Sequence, residues 1–129
     1  MGKIKTFEDL EVWQDAADLA VNVYNISACG KLSKDFGLRD QIQRASISVS
    51  NNIAEGFEYD NNKDFIKFLR FAKGSTGEVR NIMHFLNRVN FIDNNTHDKM
   101  CTDLISLSSQ LKGFISYLRK YINNQKNNL

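Results

Sequence analysis

The chain has 129 residues, 42% of them hydrophobic and 25% charged, which is the size and composition of one globular domain and too apolar for a disordered chain. Seventeen basic and fifteen acidic side chains leave a formal net charge of +2, which alone does not indicate a nucleic-acid-binding protein. No apolar run approaches the roughly 20 residues of a membrane span. The first residues have no apolar signal region, so we expect a cytoplasmic location. Cys29 and Cys101 have no CxxC-type spacing and are expected to be reduced thiols.

Helical periodicity dominates the chain, and the complete absence of proline favours an all-α fold. Four segments are predicted to be helical, with a frayed tail after them: 7–28, 38–56, 62–90, 96–122 and the tail 123–129. Gly56 is suited to end the second helix. Short connections make consecutive helices antiparallel neighbours, so we expect an up-down-up-down four-helix bundle that forms one domain over residues 1–129.

The first segment is apolar around more than half of its circumference, and the wide arc includes Trp13, Ala17 and Tyr24. One bundle core does not require so wide an arc. Either this helix is unusually central, or it contacts a second subunit.

The other three segments each have one apolar stripe. The predicted core residues are, in chain order, Leu38, Ile42, Ala45, Val49, Ile53, Phe65, Phe68, Leu69, Ala72, Val79, Ile82, Met83, Leu86, Met100, Leu104, Leu107, Leu111, Phe114, Leu118 and Tyr121. Beside the stripe of the second segment lies a polar one, formed by Gln41, Ser48, Asn52 and Glu55. This polar stripe either specifies how a partner docks or is ordinary solvated surface.

Gly74 and Gly77 lie opposite the core stripe of the third segment. Glycine inside a helix costs about 1 kcal/mol relative to alanine. Two outward glycines therefore suggest that another backbone, a helix or a phosphate chain, comes close there. The alternative is a tolerated weak spot.

The charge is unevenly distributed along the chain. Residues 1–62 hold six basic and ten acidic side chains, whereas residues 63–129 hold eleven basic and five acidic ones. A basic face on the third and fourth helices can neutralise phosphates. It can also be a solvated face, or it can meet the acidic first helix of a second copy.

No constellation of catalytic or cofactor-binding residues is recognisable. His84 and His97 are expected to have no partner at metal-ligand spacing, and no Glu-x-x-His pair is present for a di-iron site. Phosphate-binding and nucleophile motifs are also missing. We therefore expect no enzyme, no metal and no cofactor.

Several blocks, in order, carry a family resemblance. They are Phe7 to Gln14 with Ala16, Phe36-Gly37-Leu38, Gln41-Ile42, Arg44-Ala45, Asn52-Ile53-Ala54-Glu55-Gly56, Phe65, Phe68-Leu69, Ala72 to Ser75, and Glu78. Over about residues 6–80 the chain resembles the 23S rRNA intervening-sequence protein family. It departs from the family pattern at Val49-Ser50-Asn51, where a proline is usual, and at Tyr59, where an arginine is usual.

The resemblance implies a small four-helix bundle, in some members a ring of five copies, with no catalytic residues to carry over. It also implies likeness to a nucleic-acid-binding accessory protein of retroelement reverse transcriptases. The acidic surroundings of Tyr59 weaken any expectation that this turn contacts RNA.

We therefore expect a homo-oligomer, with a pentamer as the expected size, that binds RNA or DNA. The alternative is a module that binds a polypeptide such as a reverse transcriptase. The predicted nucleic-acid residues, here called the basic set, are Lys63, Lys67, Arg70, Lys73, Arg80, Arg88, Arg119 and Lys120. The predicted oligomer contacts, here called the interface set, are Trp13, Ala17, Tyr24, Gln41, Ser48, Asn52, Glu55, Gly74 and Gly77.

Overall fold

A computed structural model describes residues 3–127, and over this range the protein is an all-α four-helix bundle, as predicted. The helices are α1 (Glu11–Ser27), α2 (Phe36–Glu58), α3 (Asn62–Arg88) and α4 (Asn94–Asn127). Two short 3-10 turns, Phe7–Asp9 and Leu32–Lys34, precede α1 and α2. Within the described range, none of the helices has the length and apolar character needed to cross a membrane.

Contacts between the helices give their directions. Ser27, at the end of α1, accepts a hydrogen bond from the side chain of Gln43, near the start of α2. The ring of Phe65, near the start of α3, lies 5.2 Å from the ring of Phe114 in the second half of α4. Packed neighbours along the chain therefore run in opposite directions, with α1 also touching α4.

The core is one cluster that draws a stripe from every helix. Most of the predicted core positions are buried, but four of them are not: Leu38, Phe68 and Phe114 are half-buried, and Tyr121 is exposed. On α4, Ile115 is buried beside the half-buried Phe114. Since Phe65 pairs with Phe114, the last turns of α4 extend beyond the first residue of α3, and α3 leaves Tyr121 uncovered.

The helix ends differ from the predicted ones. Helix α1 starts at Glu11, because Phe7–Asp9 forms a separate turn and Leu10 is extended. At the end of α3, Asn90 has a φ of +62°, and the N–H of Phe91 donates to the carbonyl of Leu86 at 2.8 Å. This is the Schellman arrangement that stops a helix.

The fourth helix is longer at both ends than predicted. Asp93 accepts a 2.7 Å hydrogen bond from the N–H of Thr96, which caps α4 and lowers the pKa of the Asp93 carboxyl. The predicted frayed tail is wrong as far as Asn127, since residues 123–127 continue the helix. Residues 128 and 129 lie outside the described range.

Gly56 does not end α2, as the sequence suggested, but lies inside it at the contact with α3. A Cβ placed on Gly56 would come within 2.6 Å of the Cβ of Phe68 and 3.1 Å of the Cδ1 of Phe65. Helix α2 continues to Glu58, and Asp60, with a φ of +58°, follows it. Gly56 is therefore required for the close approach of two helices.

Replacing Gly56 by alanine tests this packing, with Gly113 as the matched control. Gly113 is exposed in α4, and beyond the neighbouring backbone of its own helix no described atom lies within 4 Å of a Cβ placed there. We expect Gly56→Ala to lower the free energy of unfolding by about 1–3 kcal/mol, because α2 and α3 must move apart. Gly113→Ala should raise it by about 0.5–1 kcal/mol. Urea denaturation measures both, and equal effects of the two changes would contradict the close packing.

Candidate functional site

The basic set lies mainly on the outward face of α3. Seven of its eight side chains are exposed, and Lys73 is half-buried. Arg119 and Lys120 lie on the last turns of α4, which extend beyond the first residue of α3. Ion pairs among residues 3–127 use other cations, namely Arg39, His97 and Lys99. The basic set therefore has its charges free for a ligand.

Aromatic rings lie among these charges. The Lys67 ammonium is 5.8 Å from the ring centre of Phe68 and 6.0 Å from that of Phe71. The Tyr59 ring stacks on Phe68 at 5.1 Å, and Phe71 meets Phe68 edge to face. Tyr59 and Phe71 are each about half exposed, at 52% and 51%. Basic and aromatic groups together can bind phosphates and stack on bases.

Carboxylates border the aromatic group on one side. Glu55, Glu58 and Tyr59 line a shallow depression at the end of α2, and Asp60 follows directly. Negative charge disfavours a phosphate there. The part of α3 that can accept phosphates therefore begins at Lys63 and extends away from the α2–α3 turn.

A second surface lies along the outer side of α2. It is an open groove of about 630 Å³ that brings together four members of the interface set: Tyr24, Ser48, Asn52 and Glu55. Ile47 also lines the groove, and both Ile47 and Tyr24 are exposed. The groove thus combines polar groups with uncovered apolar ones, as protein interfaces do.

The polar stripe of α2 is partly satisfied within the chain. The hydroxyl oxygens of Ser48 and Ser75 are 3.0 Å apart and join α2 to α3. The Asn52 side chain donates to the carbonyl of Ser48 at 2.8 Å. Gln41 and Glu55 are exposed. The stripe therefore helps to hold α3 in place, and only part of it is free to bind a partner.

The remaining members of the interface set are unevenly placed. Trp13 and Ala17 are half-buried, and the Trp13 ring packs edge to face on Phe7 at 5.3 Å. Trp13 is thus largely covered by its own chain. Gly74 and Gly77 are exposed, and beyond the neighbouring backbone of α3 a Cβ on either would meet no described atom within 4 Å. Packing inside the described chain does not explain these two glycines.

A cluster of three potential metal ligands, called the third cluster after the two surfaces above, lies where the end of α3 meets the start of α4. Nδ1 of His84 lies 2.8 Å from Nε2 of His97, and Sγ of Cys101 lies 3.6 Å from the same Nε2. The three potential ligand atoms all lie within 4.8 Å of one another. The expectation that His84 and His97 have no partner at metal-ligand spacing is therefore wrong, because the antiparallel turn between α3 and α4 brings them together.

A carboxylate lies behind the His97 ring. Nδ1 of His97 is 2.9 Å from a carboxylate oxygen of Asp98, and in the neutral ring this contact favours the tautomer with its proton on Nδ1, which directs the lone pair of Nε2 at His84 and Cys101. Burial raises the pKa of the Cys101 thiol, the positive charge of Arg80 opposes this rise, and the negative charge of Asp98 adds to it.

Two features of these surfaces escaped the sequence interpretation. The apolar stripe predicts that Phe68 is a core residue, and the family pattern marks Tyr59 only as a position where an arginine is usual. Neither pattern predicts that the two rings stack. The i,i+4 spacing of His97 and Cys101 was an available signal for the third cluster. His84 could be added to it only by knowing which turns of α3 and α4 face each other.

Comparisons with known proteins agree with this architecture. Residues 8–113 match the family model described as 23S rRNA-intervening sequence protein. A crystal structure of a protein of unknown function from the S23 ribosomal protein family of Bacteroides thetaiotaomicron superposes with a TM-score of 0.73 at 23% identity, covering 81% of this chain and 97% of that one. No curated protein matches the chain significantly. The chain therefore belongs to the 23S rRNA-intervening sequence protein family.

Proposed function

We propose that this protein is a non-enzymatic RNA-binding protein that acts in the cytoplasm as a homo-oligomer. The observation that carries the proposal is the outward face of α3, where exposed cations without ion-pair partners lie beside exposed aromatic rings. The family takes its description from an intervening sequence of 23S rRNA. Structured RNA is therefore the first ligand to test, and DNA is the second.

The dimensions of this face fit a nucleic-acid backbone. Lys63 and Arg88 are separated by nearly the whole of α3, which is about 37 Å at the rise of an α-helix. Lys67 and Arg70 lie near one end of this length and Arg80 near the other. Several phosphates can therefore be contacted at once, which gives affinity that falls steeply with salt.

Assembly would supply what one copy lacks. A single α3 presents few cations for a structured RNA. Several copies in one assembly would present more of them, and the overall affinity would rise through avidity. Uncovered Tyr24 and Ile47 in the α2 groove support contact between copies. The open glycines of α3 lie among the basic set and support close approach by either a second copy or a phosphate chain. The pentameric ring implied by the family resemblance is the assembly that we propose.

Charge reversal tests the RNA-binding face. The double change Lys67→Glu with Arg70→Glu should lower affinity for a structured RNA about tenfold or more at low salt, because two phosphate contacts become repulsive. The slope of log affinity against log salt should become shallower by about 2. Fluorescence anisotropy of a labelled RNA hairpin measures both quantities.

Lys31→Glu with Lys34→Glu is the matched control, since it changes the charge equally. Both lysines are exposed in the connection between α1 and α2, outside the basic set. We expect this variant to keep most of the wild-type affinity. Equal losses in the two variants, or no binding by the wild type at low salt, would contradict the assigned face.

Gly74→Leu tests assembly, with Gly113→Leu as its control. Beyond the neighbouring backbone of its own helix, neither Cβ would meet a described atom within 4 Å, so folding should be affected similarly in both. If a second copy packs on α3, Gly74→Leu should reduce the particle mass while Gly113→Leu leaves it unchanged. Light scattering coupled to size exclusion gives the mass, and a monomeric wild type or an unaffected Gly74→Leu variant would contradict the proposed contact.

A polypeptide partner, such as a reverse transcriptase, is the second candidate ligand. The exposed side chains of Tyr24 and Ile47 in the α2 groove favour it, because apolar anchors are typical of protein interfaces. Such a complex would resist salt and would depend on Ile47 rather than on the basic set. This difference separates it from direct RNA binding.

A further inference from the structure

We propose that His84, His97 and Cys101 form a mononuclear zinc site that ties the end of α3 to the start of α4. The ligand atoms would be Nδ1 of His84, Nε2 of His97 and Sγ of Cys101, with a water in the fourth position. This inference concerns a different surface from the α2 groove and does not depend on RNA binding.

The spacing of the ligand atoms is close to that of a tetrahedral site. Zinc bonds of about 2.0 Å to nitrogen and about 2.3 Å to sulfur place two nitrogens about 3.3 Å apart, and a nitrogen and a sulfur about 3.5 Å apart. The separation of His97 Nε2 and Cys101 Sγ is 3.6 Å. The ligand atoms of His84 and Cys101 lie within 4.8 Å of each other, so they must approach by up to about 1.3 Å. His84 Nδ1, at 2.8 Å from His97 Nε2, must retreat by about 0.5 Å, which its exposed ring can do by a small rotation.

The His97 ring is already oriented for this role. Asp98 accepts a hydrogen bond from Nδ1–H of His97 at 2.9 Å, which leaves the Nε2 lone pair pointing at the cluster. A carboxylate behind a ligating histidine is the usual outer partner of zinc sites, where it fixes the tautomer and increases the basicity of the ring. Its negative charge also favours a nearby cation.

Without a metal, two polar groups of this cluster compete for one acceptor atom. Both the His84 Nδ1 and the Cys101 thiol are directed at the single lone pair of His97 Nε2. On binding zinc, Cys101 would give up its thiol proton to solvent, and the single ring proton of His84 would lie on Nε2, which leaves Nδ1 free to coordinate. Three bonds from the metal to His84, His97 and Cys101 would then replace the hydrogen bonds among these side chains.

The choice of zinc follows from the donor atoms. Two imidazole nitrogens and one thiolate form a borderline-soft set, which suits zinc and excludes magnesium or calcium as preferred ions. Two of the ligands, His97 and Cys101, lie one turn apart on α4, and the third comes from α3. A bound ion would therefore link the two helices across the Asn90–Asp93 connection.

Cobalt(II) reports the site directly, because it occupies zinc sites and absorbs visible light. Titration of the tag-free full chain with cobalt should give a thiolate-to-cobalt charge-transfer band and tetrahedral d–d bands that saturate at one equivalent per chain. Added zinc should bleach both. Zinc should also raise the thermal unfolding midpoint of the wild-type chain, since a ligand bound only to the folded state stabilises it.

The two cysteines supply a matched pair of variants. Cys101→Ala should abolish the charge-transfer band and the zinc-dependent shift in the unfolding midpoint. Cys29→Ala should keep both, since Cys29 is exposed outside this cluster. His84→Gln, at an exposed position, should weaken cobalt binding more than tenfold, and Asp98→Asn should weaken zinc binding by about 10–100-fold.

Three results would overturn the proposal. The first is a saturated cobalt complex without a charge-transfer band. The second is a band that survives in Cys101→Ala or disappears in Cys29→Ala. The third is a His84→Gln variant that retains its secondary structure by circular dichroism and binds cobalt as tightly as the wild-type chain.

Discussion

The close contact of α2 with α3 at Gly56 determines much of what the surface of this protein can do. With no side chain on Gly56, the backbone of α2 approaches α3 so closely that a Cβ at this position would lie 2.6 Å from the Cβ of Phe68. Phe65 is held in the core, whereas Phe68 lies at the border of the helices, where Tyr59 stacks on it and Lys67 lies near its face. The aromatic part of the basic face is thus built on a packing constraint between two helices.

Helical periodicity was sufficient to predict the class of fold and most of the core, because a stripe of apolar residues can be buried in few ways. It was less successful at helix ends, which depend on local backbone geometry such as the left-handed residue Asn90 and the cap at Asp93. The prediction that Gly56 ends α2 is wrong, because the sequence alone does not distinguish a glycine that stops a helix from one that permits close packing of two helices. The contact of His84 with His97 depends on which turns of two helices face each other, which the sequence pattern leaves open.

The two larger surfaces make different chemical demands. The outward side of α3 offers charge and flat rings, and a ligand there must be anionic. The α2 groove offers Tyr24 and Ile47 among neutral and oppositely charged groups, and it favours a ligand that can bury apolar area. The outward side of α3 and the α2 groove lie on either side of the Ser48–Ser75 hydrogen bond, which joins α2 to α3. A ligand bound to either surface therefore contacts the same pair of helices.

The overhang of α4 has a consequence for how such chains can diverge. Its last turns run past the start of α3, and none of the residues from Arg119 to Asn127 is fully buried. A short helical extension of this kind adds little stability in water. The family match ends at residue 113, near the level at which the overhang begins. Packing in the core therefore sets no limit on the length of this end of α4, whereas the four packed stripes are constrained by the geometry of the core.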